Sequence, residues 1–116
     1  MGLDVDFYRV KKENIVNDYS FDSDDYYSVL YFRKPYELCD WFLELPNKRG
    51  FMVKGEHKNV LPIRIYKSDY EEFMKELRSG NIYNDRDSIK YYSEQMETLR
   101  EYFYDDEYAI YFIANW

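Results

Sequence analysis

Glu107-Tyr108-Ala109-Ile110-Tyr111-Phe112-Ile113-Ala114-Asn115 is the stretch that decides the fold of this chain. Tyr108, Ile110, Phe112 and Ala114 alternate with Ala109, Tyr111 and Ile113, the period of a β-strand. Both alternating sets are apolar. A strand of that kind belongs inside a sheet rather than at its edge.

Working outward, residues 2–12 also alternate: Leu3, Val5, Phe7 and Arg9 against Asp4, Asp6 and Tyr8. This is a half-buried strand. Residues 13–26 are rich in Asn, Asp and Ser and read as a loop. Residues 27–33 are β-prone, either a short strand or the approach to the next helix. Pro35 suits a first helical position, where its missing N–H has no partner anyway. Leu38, Trp41, Phe42 and Leu45 then fall on one helix face, and Pro46-Asn47 reads as the stop. The second helix opens on Ser68-Asp69-Tyr70-Glu71, a capping box. It buries Tyr70, Phe73, Met74 and Leu77, and Gly80 ends it. The third helix is expected over 88–104, capped by Asp87 or Ser88, with Ile89, Tyr92, Met96, Leu99 and Phe103 inward. Leu61, Ile63 and Ile65 predict a strand over about 59–66, and Pro62 points to an edge position or a late start.

The order β-(β)-α-β-α-α-β lacks regular βαβ alternation. It predicts a single α+β domain over residues 1–116. The domain has two layers: a small, mostly antiparallel sheet of the N- and C-terminal strands plus about 59–66, packed by about three helices.

A chain of 116 residues holds one core and not two. Aromatic residues make up 22%, and each buried ring removes roughly 150–250 Å² from water, so a core is feasible in a polar sequence. The net charge of −7 argues against nonspecific or direct nucleic-acid binding through phosphates. The charge is unevenly spread. Residues 1–30 carry seven acids against three bases, and residues 101–116 carry four acids and no base. Residues 47–67 reverse the sign, with Lys48, Arg49, Lys54, Lys58, Arg64 and Lys67 against Glu56. The single Cys39 excludes an internal disulfide and fits a reducing cytoplasm. The acidic N-terminus does not read as a signal peptide, and no apolar run approaches a membrane span.

No Gly-rich phosphate loop, CxxC pair, HExxH or GxSxG is present. His57 stands alone in a Lys/Glu/Asn loop. Cys39 adjoins an apolar stripe and reads as a small buried hydrophobe. No catalytic, metal or cofactor residue is therefore assigned. Asp4 and Asp6 share a strand face, where like charges need solvent or a cation.

Two constellations carry the functional expectation. Acids interleave with tyrosines at 18–27 and 101–108, and Asp22, Asp24, Asp25, Tyr26, Tyr104, Asp105 and Asp106 form the candidate partner-binding set. Solubility alone accounts for many such surfaces. The functional reading is a face that meets a basic protein surface, since tyrosine gives large contact area at low entropy cost. Arg33-Lys34 lies near a helix N-terminus, where the macrodipole disfavours positive charge. That misfit predicts a carboxylate partner or a bound anion. The alternative reading is a small-ligand or nucleotide-related protein with an aromatic cleft of Tyr31, Trp41 and Trp116 beside Arg33 and Lys34.

Met1-Gly2-Leu3-Asp4 with Phe7-Tyr8, Tyr31-Phe32-Arg33-Lys34 with Trp41-Phe42, and Ile110-Tyr111-Phe112 with Asn115-Trp116 span the chain in order. In these the chain resembles a family of small uncharacterised bacteriophage and prophage proteins. That family opens M-G-L-D-x-x-L/F-Y, carries Y-W-R-K-A-N-x-x-H-x-W-F, and ends in a strand closing on Ser- or Asn-Trp. Pro35 and Tyr36 replace the Ala-Asn pair, and Cys39 stands where the family often has histidine. The resemblance implies a phage or mobile-element origin. It favours an accessory protein in the host cytoplasm that acts by binding a host or phage protein, for example to counter a defence nuclease.

Overall fold

The computed structural model describes residues 2–22, 24, 26–50 and 61–116. Strand β1 (Asp4–Lys11) lies between β4 (Tyr26–Arg33) and β6 (Tyr108–Asn115), and β6 lies between β1 and β5 (Ile63–Ile65). All three pairings are antiparallel. The terminal strands are therefore neighbours, with Val5 opposite Ala114 and Phe7 opposite Phe112. Strand β6 is interior, as its two apolar faces require. Strand β5 is at the edge, and Pro62 precedes it. Residues 59 and 60 of the expected strand, like His57, Lys54 and Lys58, lie outside the described residues.

One face of the sheet carries the helices. Helix α1 (Tyr36–Leu43) runs into the short α2 (Leu45–Lys48), so Pro46 and Asn47 do not stop the chain. Pro46 sits at the second position of α2, where no N–H is needed. Helix α3 (Lys67–Arg78) starts one residue before the expected box, because Asp69 rather than Ser68 supplies the cap. Its Oδ2 accepts the Tyr66 N–H at 2.9 Å. Gly80 closes α3 at φ 81°, with its N–H on the Leu77 carbonyl and the Asn81 N–H on that of Glu76. Helix α4 (Arg86–Glu97) is capped by Asp85, whose Oδ2 accepts the Ser88 N–H at 2.9 Å. It therefore begins before the expected Asp87 or Ser88. It also stops before 104, and Arg100–Tyr104 tightens into a 3-10 turn.

Residues 13–26 are not a plain loop. After a 3-10 turn at Lys12–Asn14, β2 (Ile15–Asn17) and β3 (Ser20–Phe21) form a small hairpin. Ile15 and Phe21 pack on Val10, Ala109 and Tyr111, the second apolar face of the sheet. The Tyr111 hydroxyl donates to the Asn17 carbonyl at 2.6 Å and fixes the hairpin there.

The main core lies between sheet and helices. Phe42 of α1 is fully buried. Its ring lies 5.3 Å from Phe7, 5.3 Å from Phe112 and 4.7 Å from Phe73. Helix α1 has no local side-chain cap; the Leu38 N–H instead reaches the Tyr83 hydroxyl oxygen at 3.4 Å. Tyr70 donates to the Met96 carbonyl at 3.0 Å and ties α3 to α4.

Trp41 shares the stripe with Phe42 but is only half-buried. Its indole N–H donates to the Glu76 carboxylate, and the Lys48 ammonium lies 4.7 Å from the ring centroid. A tryptophan keeps a polar edge that must find a partner, which holds this one at the rim. Full truncation of a buried aromatic costs about 3–5 kcal/mol. Phe42→Ala should fall in that range in urea denaturation. Trp41→Ala should cost clearly less, because part of its surface is already wet.

Candidate functional site

Beyond the hairpin, no element among the described residues covers the second face of the sheet. Asp4, Asp6 and Tyr8 of β1 alternate away from the helices, and Tyr31 and Ser28 of β4 flank them. The Tyr31 hydroxyl donates to Asp4 Oδ1 at 2.5 Å, and Ser28 Oγ donates to Asp6 Oδ1 at 2.6 Å. Each of the two carboxylates thus has its own neutral hydroxyl donor. The hydrogen bond to Asp4 raises the Tyr31 hydroxyl above its ordinary pKa, so the ring stays neutral beside the acids.

Strand β4 forms one edge of the sheet, and among the described residues no further strand pairs with it. Tyr26, Tyr27 and Tyr31 on it are exposed, Tyr27 and Tyr31 by more than half (56% and 51%). Val29 bulges where the register slips between Phe7 and Tyr8. On the helix side, Arg9 lies over two rings, 5.0 Å from that of Tyr27 and 4.6 Å from that of Tyr108. At the other end of β4, Trp116 is exposed and packs on Tyr36, centroids 6.3 Å apart.

The register brings the acidic segments to one end of the sheet. Val10 pairs with Tyr26, Lys11 pairs with Tyr108, and the Lys12 N–H donates to the Glu107 carbonyl at 2.8 Å. Asp22 and Asp24 therefore share an end with Asp105 and Asp106, and all four are exposed. Asp25 lies outside the described residues. Asp105 also accepts the Glu107 N–H at 2.8 Å, which shapes the turn into β6. Tyr104 stands apart from this set: the Lys67 ammonium lies 4.3 Å from its ring centroid, in a groove along α3.

The five residues expected as a cleft are distributed. Trp41 packs on Phe42 and Phe73, and Trp116 packs on Tyr36. Arg33 and Lys34 are exposed at the end of β4. Among the described residues Arg33 makes no ion pair, so the carboxylate partner expected for it is not found. The chain solves the helix start differently. Lys34 turns into the left-handed region at φ 57° and donates its N–H to the Leu3 carbonyl, so α1 leaves the sheet at once. A lysine occupies that region at a cost of about 1–2 kcal/mol.

The basic stretch is largely neutralised where it is described. Arg49 bonds Asp69 at 2.6 Å and the Arg64 carbonyl at 2.7 Å, and Lys48 and Lys67 pair with Glu72 and Glu71. Sequence reasoning missed the cations that converge in the groove along α3: Lys75, Arg78 and Arg100 join Lys67 there. The signal was available in part, since Lys67, Glu71, Lys75 and Arg78 recur at helical spacing on one face.

Among the described residues no three His, Cys, Asp or Glu side chains are arranged to hold a metal ion, and no helix is long and apolar enough to cross a membrane. Comparison with protein-family models, with curated proteins and with solved structures finds no match for the chain.

Cys39 is fully buried, and burial, with Asp40 nearby, pushes its thiol up to about 12. The folded state then keeps a proton that the unfolded thiol loses near 9.0. Stability should fall as pH rises through that window, since the folded state binds more protons there. Urea denaturation at pH 8 and pH 10 should show a drop that is smaller in Cys39→Ala. The native thiol should resist alkylation at pH 8 and react once the chain is unfolded.

Proposed function

We propose that this protein acts by binding another protein, and that its interface is the open sheet face, the β4 edge and the acidic end of the sheet. The single observation that carries this reading is the placement of exposed Tyr26, Tyr27 and Tyr31 along β4, whose outer edge pairs with no further strand among the described residues, with Tyr31 bonded to the Asp4 carboxylate. Such an edge offers backbone N–H and C=O groups as well as rings. Rigid aromatic side chains lose little entropy on docking, and flanking acids choose a partner of opposite sign.

The partner is therefore a protein with a basic surface. Asp22, Asp24, Asp25, Asp105 and Asp106 supply long-range attraction, and the tyrosines supply contact area. A host protein built to hold nucleic-acid phosphates, such as a defence nuclease, presents a surface of this kind. That choice is in keeping with the resemblance to phage and prophage proteins, and it places the action in the host cytoplasm. The chain needs no catalytic group for such a role.

The test combines capture from a bacterial host lysate with kinetics on the captured partner. Replacing Asp22, Asp24 and Asp25 with Asn should leave folding nearly intact, because Asp22 and Asp24 are exposed and such charges contribute little to stability. Association at low salt should slow several-fold, and the difference from wild type should shrink as salt rises and screens the acids. Equal association rates at low salt would remove this segment from the interface. Unchanged dissociation in Tyr27→Ala and Tyr31→Ala would remove the β4 edge.

A further inference from the structure

A groove runs between α3 and the end of α4, next to the interface proposed above. Its volume is about 830 Å³, within the roughly 300–1,000 Å³ of small-molecule sites. Lys67, Lys75, Arg78 and Arg100 line it against only Glu71 and Glu97, which leaves an excess of two positive charges. In a chain of net charge −7 this is a local reversal of sign.

The groove is bounded at both ends by contacts across the helices. Arg78 bonds Glu97 at 2.6 Å where α3 finishes, and Lys67 lies over the Tyr104 ring where it starts. The run from Lys67 to Arg78 spans about 16 Å of helix. Between those ends, Lys75 and Arg100 have no carboxylate partner among the described residues. Met74, Tyr70 and Phe103 form an apolar floor, and the Tyr70 and Phe103 rings lie 4.8 Å apart. Tyr70 and Met74 are themselves buried, and the Tyr70 hydroxyl is committed to the Met96 carbonyl, so Phe103 is the ring that the floor presents. The Lys67 ammonium, with Arg100 beside it, holds the Tyr104 hydroxyl below the ordinary tyrosine range, which reports the positive field at this mouth.

We infer that this groove binds a small anion that also carries a flat ring, of the class of a nucleoside monophosphate. Lys75 and Arg100 take the anionic group through charge-assisted hydrogen bonds. The ring lies on Phe103, with Tyr104 and Lys67 at its edge. Neither half of the ligand suffices alone: the cations without the floor make a salt-screened surface, and the floor without the cations gives no orientation.

The experiment titrates the uniformly ¹⁵N-labelled full chain with adenosine 5′-monophosphate, adenosine, inorganic phosphate and hexaglutamate. Saturable shifts of amides in 67–79 and 97–104 are expected with the monophosphate. Adenosine and phosphate should each bind at least about tenfold more weakly, the loss expected when one charge-assisted contact or one stacked ring is missing. Lys75→Gln with Arg100→Gln should weaken the monophosphate by about tenfold or more while the rest of the spectrum stays in place, and Arg100→Lys should retain most of the affinity. No saturable shift with the monophosphate, shifts mapping elsewhere, or equal affinity in the double variant would overturn the inference. Tighter binding of hexaglutamate at the same amides would also overturn it, in favour of an acidic peptide.

Discussion

The packing of Phe42 against Phe7 and Phe112 is the contact on which the rest of the fold depends. It joins α1 to the two central strands with centroid distances of 5.3 Å to each ring, and it joins α1 to α3 through Phe73. Strands β1 and β6 come from opposite ends of the chain, so their pairing closes a loop of nearly the whole sequence. Closure entropy rises only slowly with loop length, but it must be offset by contacts made at the same time. A ring that touches both strands and a helix is the form such a contact takes. The left-handed Lys34 belongs to the same constraint. It lets the chain leave β4 sharply enough for Leu38 and Phe42 to fall back on the sheet they have just left.

Much of this was legible in the residues, and the failures are physical ones. The double-faced apolar character of 108–114 placed β6 inside the sheet, and the stripes Leu38–Leu45 and Tyr70–Leu77 named the buried helix faces. The hairpin at 15–21 was not legible. Its strands are three and two residues long, too short for a period to register, and its Asn/Asp/Ser content is that of a loop. What holds it is tertiary: Ile15 and Phe21 on Tyr111, and the Tyr111 hydroxyl on Asn17. The helix caps slipped for a related reason. Ser68, Asp69, Asp85, Asp87 and Ser88 are all good cap residues, and the apolar stripe alone does not say which of them the chain reaches first. The half-burial of Trp41 was not legible, because position on a stripe says nothing about where an indole N–H will find its acceptor.

The candidate sites show the same division. Composition located the acids and tyrosines of 22–26 and 104–107, but only the sheet register shows that Tyr26 and Tyr108 stand on either side of β1 at one end. The α3 groove was half legible. Lys67, Lys75 and Arg78 lie on one helical face, whereas Arg100 arrives from a separate turn. No local pattern links it to them; that needs the packing of α3 on α4 through Tyr70 and Met96.

The two surfaces meet at the end of the 3-10 turn, where Tyr104 belongs to the groove and Asp105 begins the acidic segment. This adjacency sets what each can bind. A polyanion such as a nucleic acid would be attracted by Lys75 and Arg100, but a chain of phosphates long enough to leave the groove past Tyr104 would run into Asp105, Asp106 and Glu107. A basic protein surface meets the opposite sequence of signs: it is attracted by the acids and repelled if it extends over the groove. Like-sign clustering destabilises each patch internally, yet placing patches of opposite sign side by side returns part of that cost. On the two proposals, the groove would admit anions short enough to fit between Lys67 and Arg78, and the sheet end would admit basic surfaces that stop at Asp105.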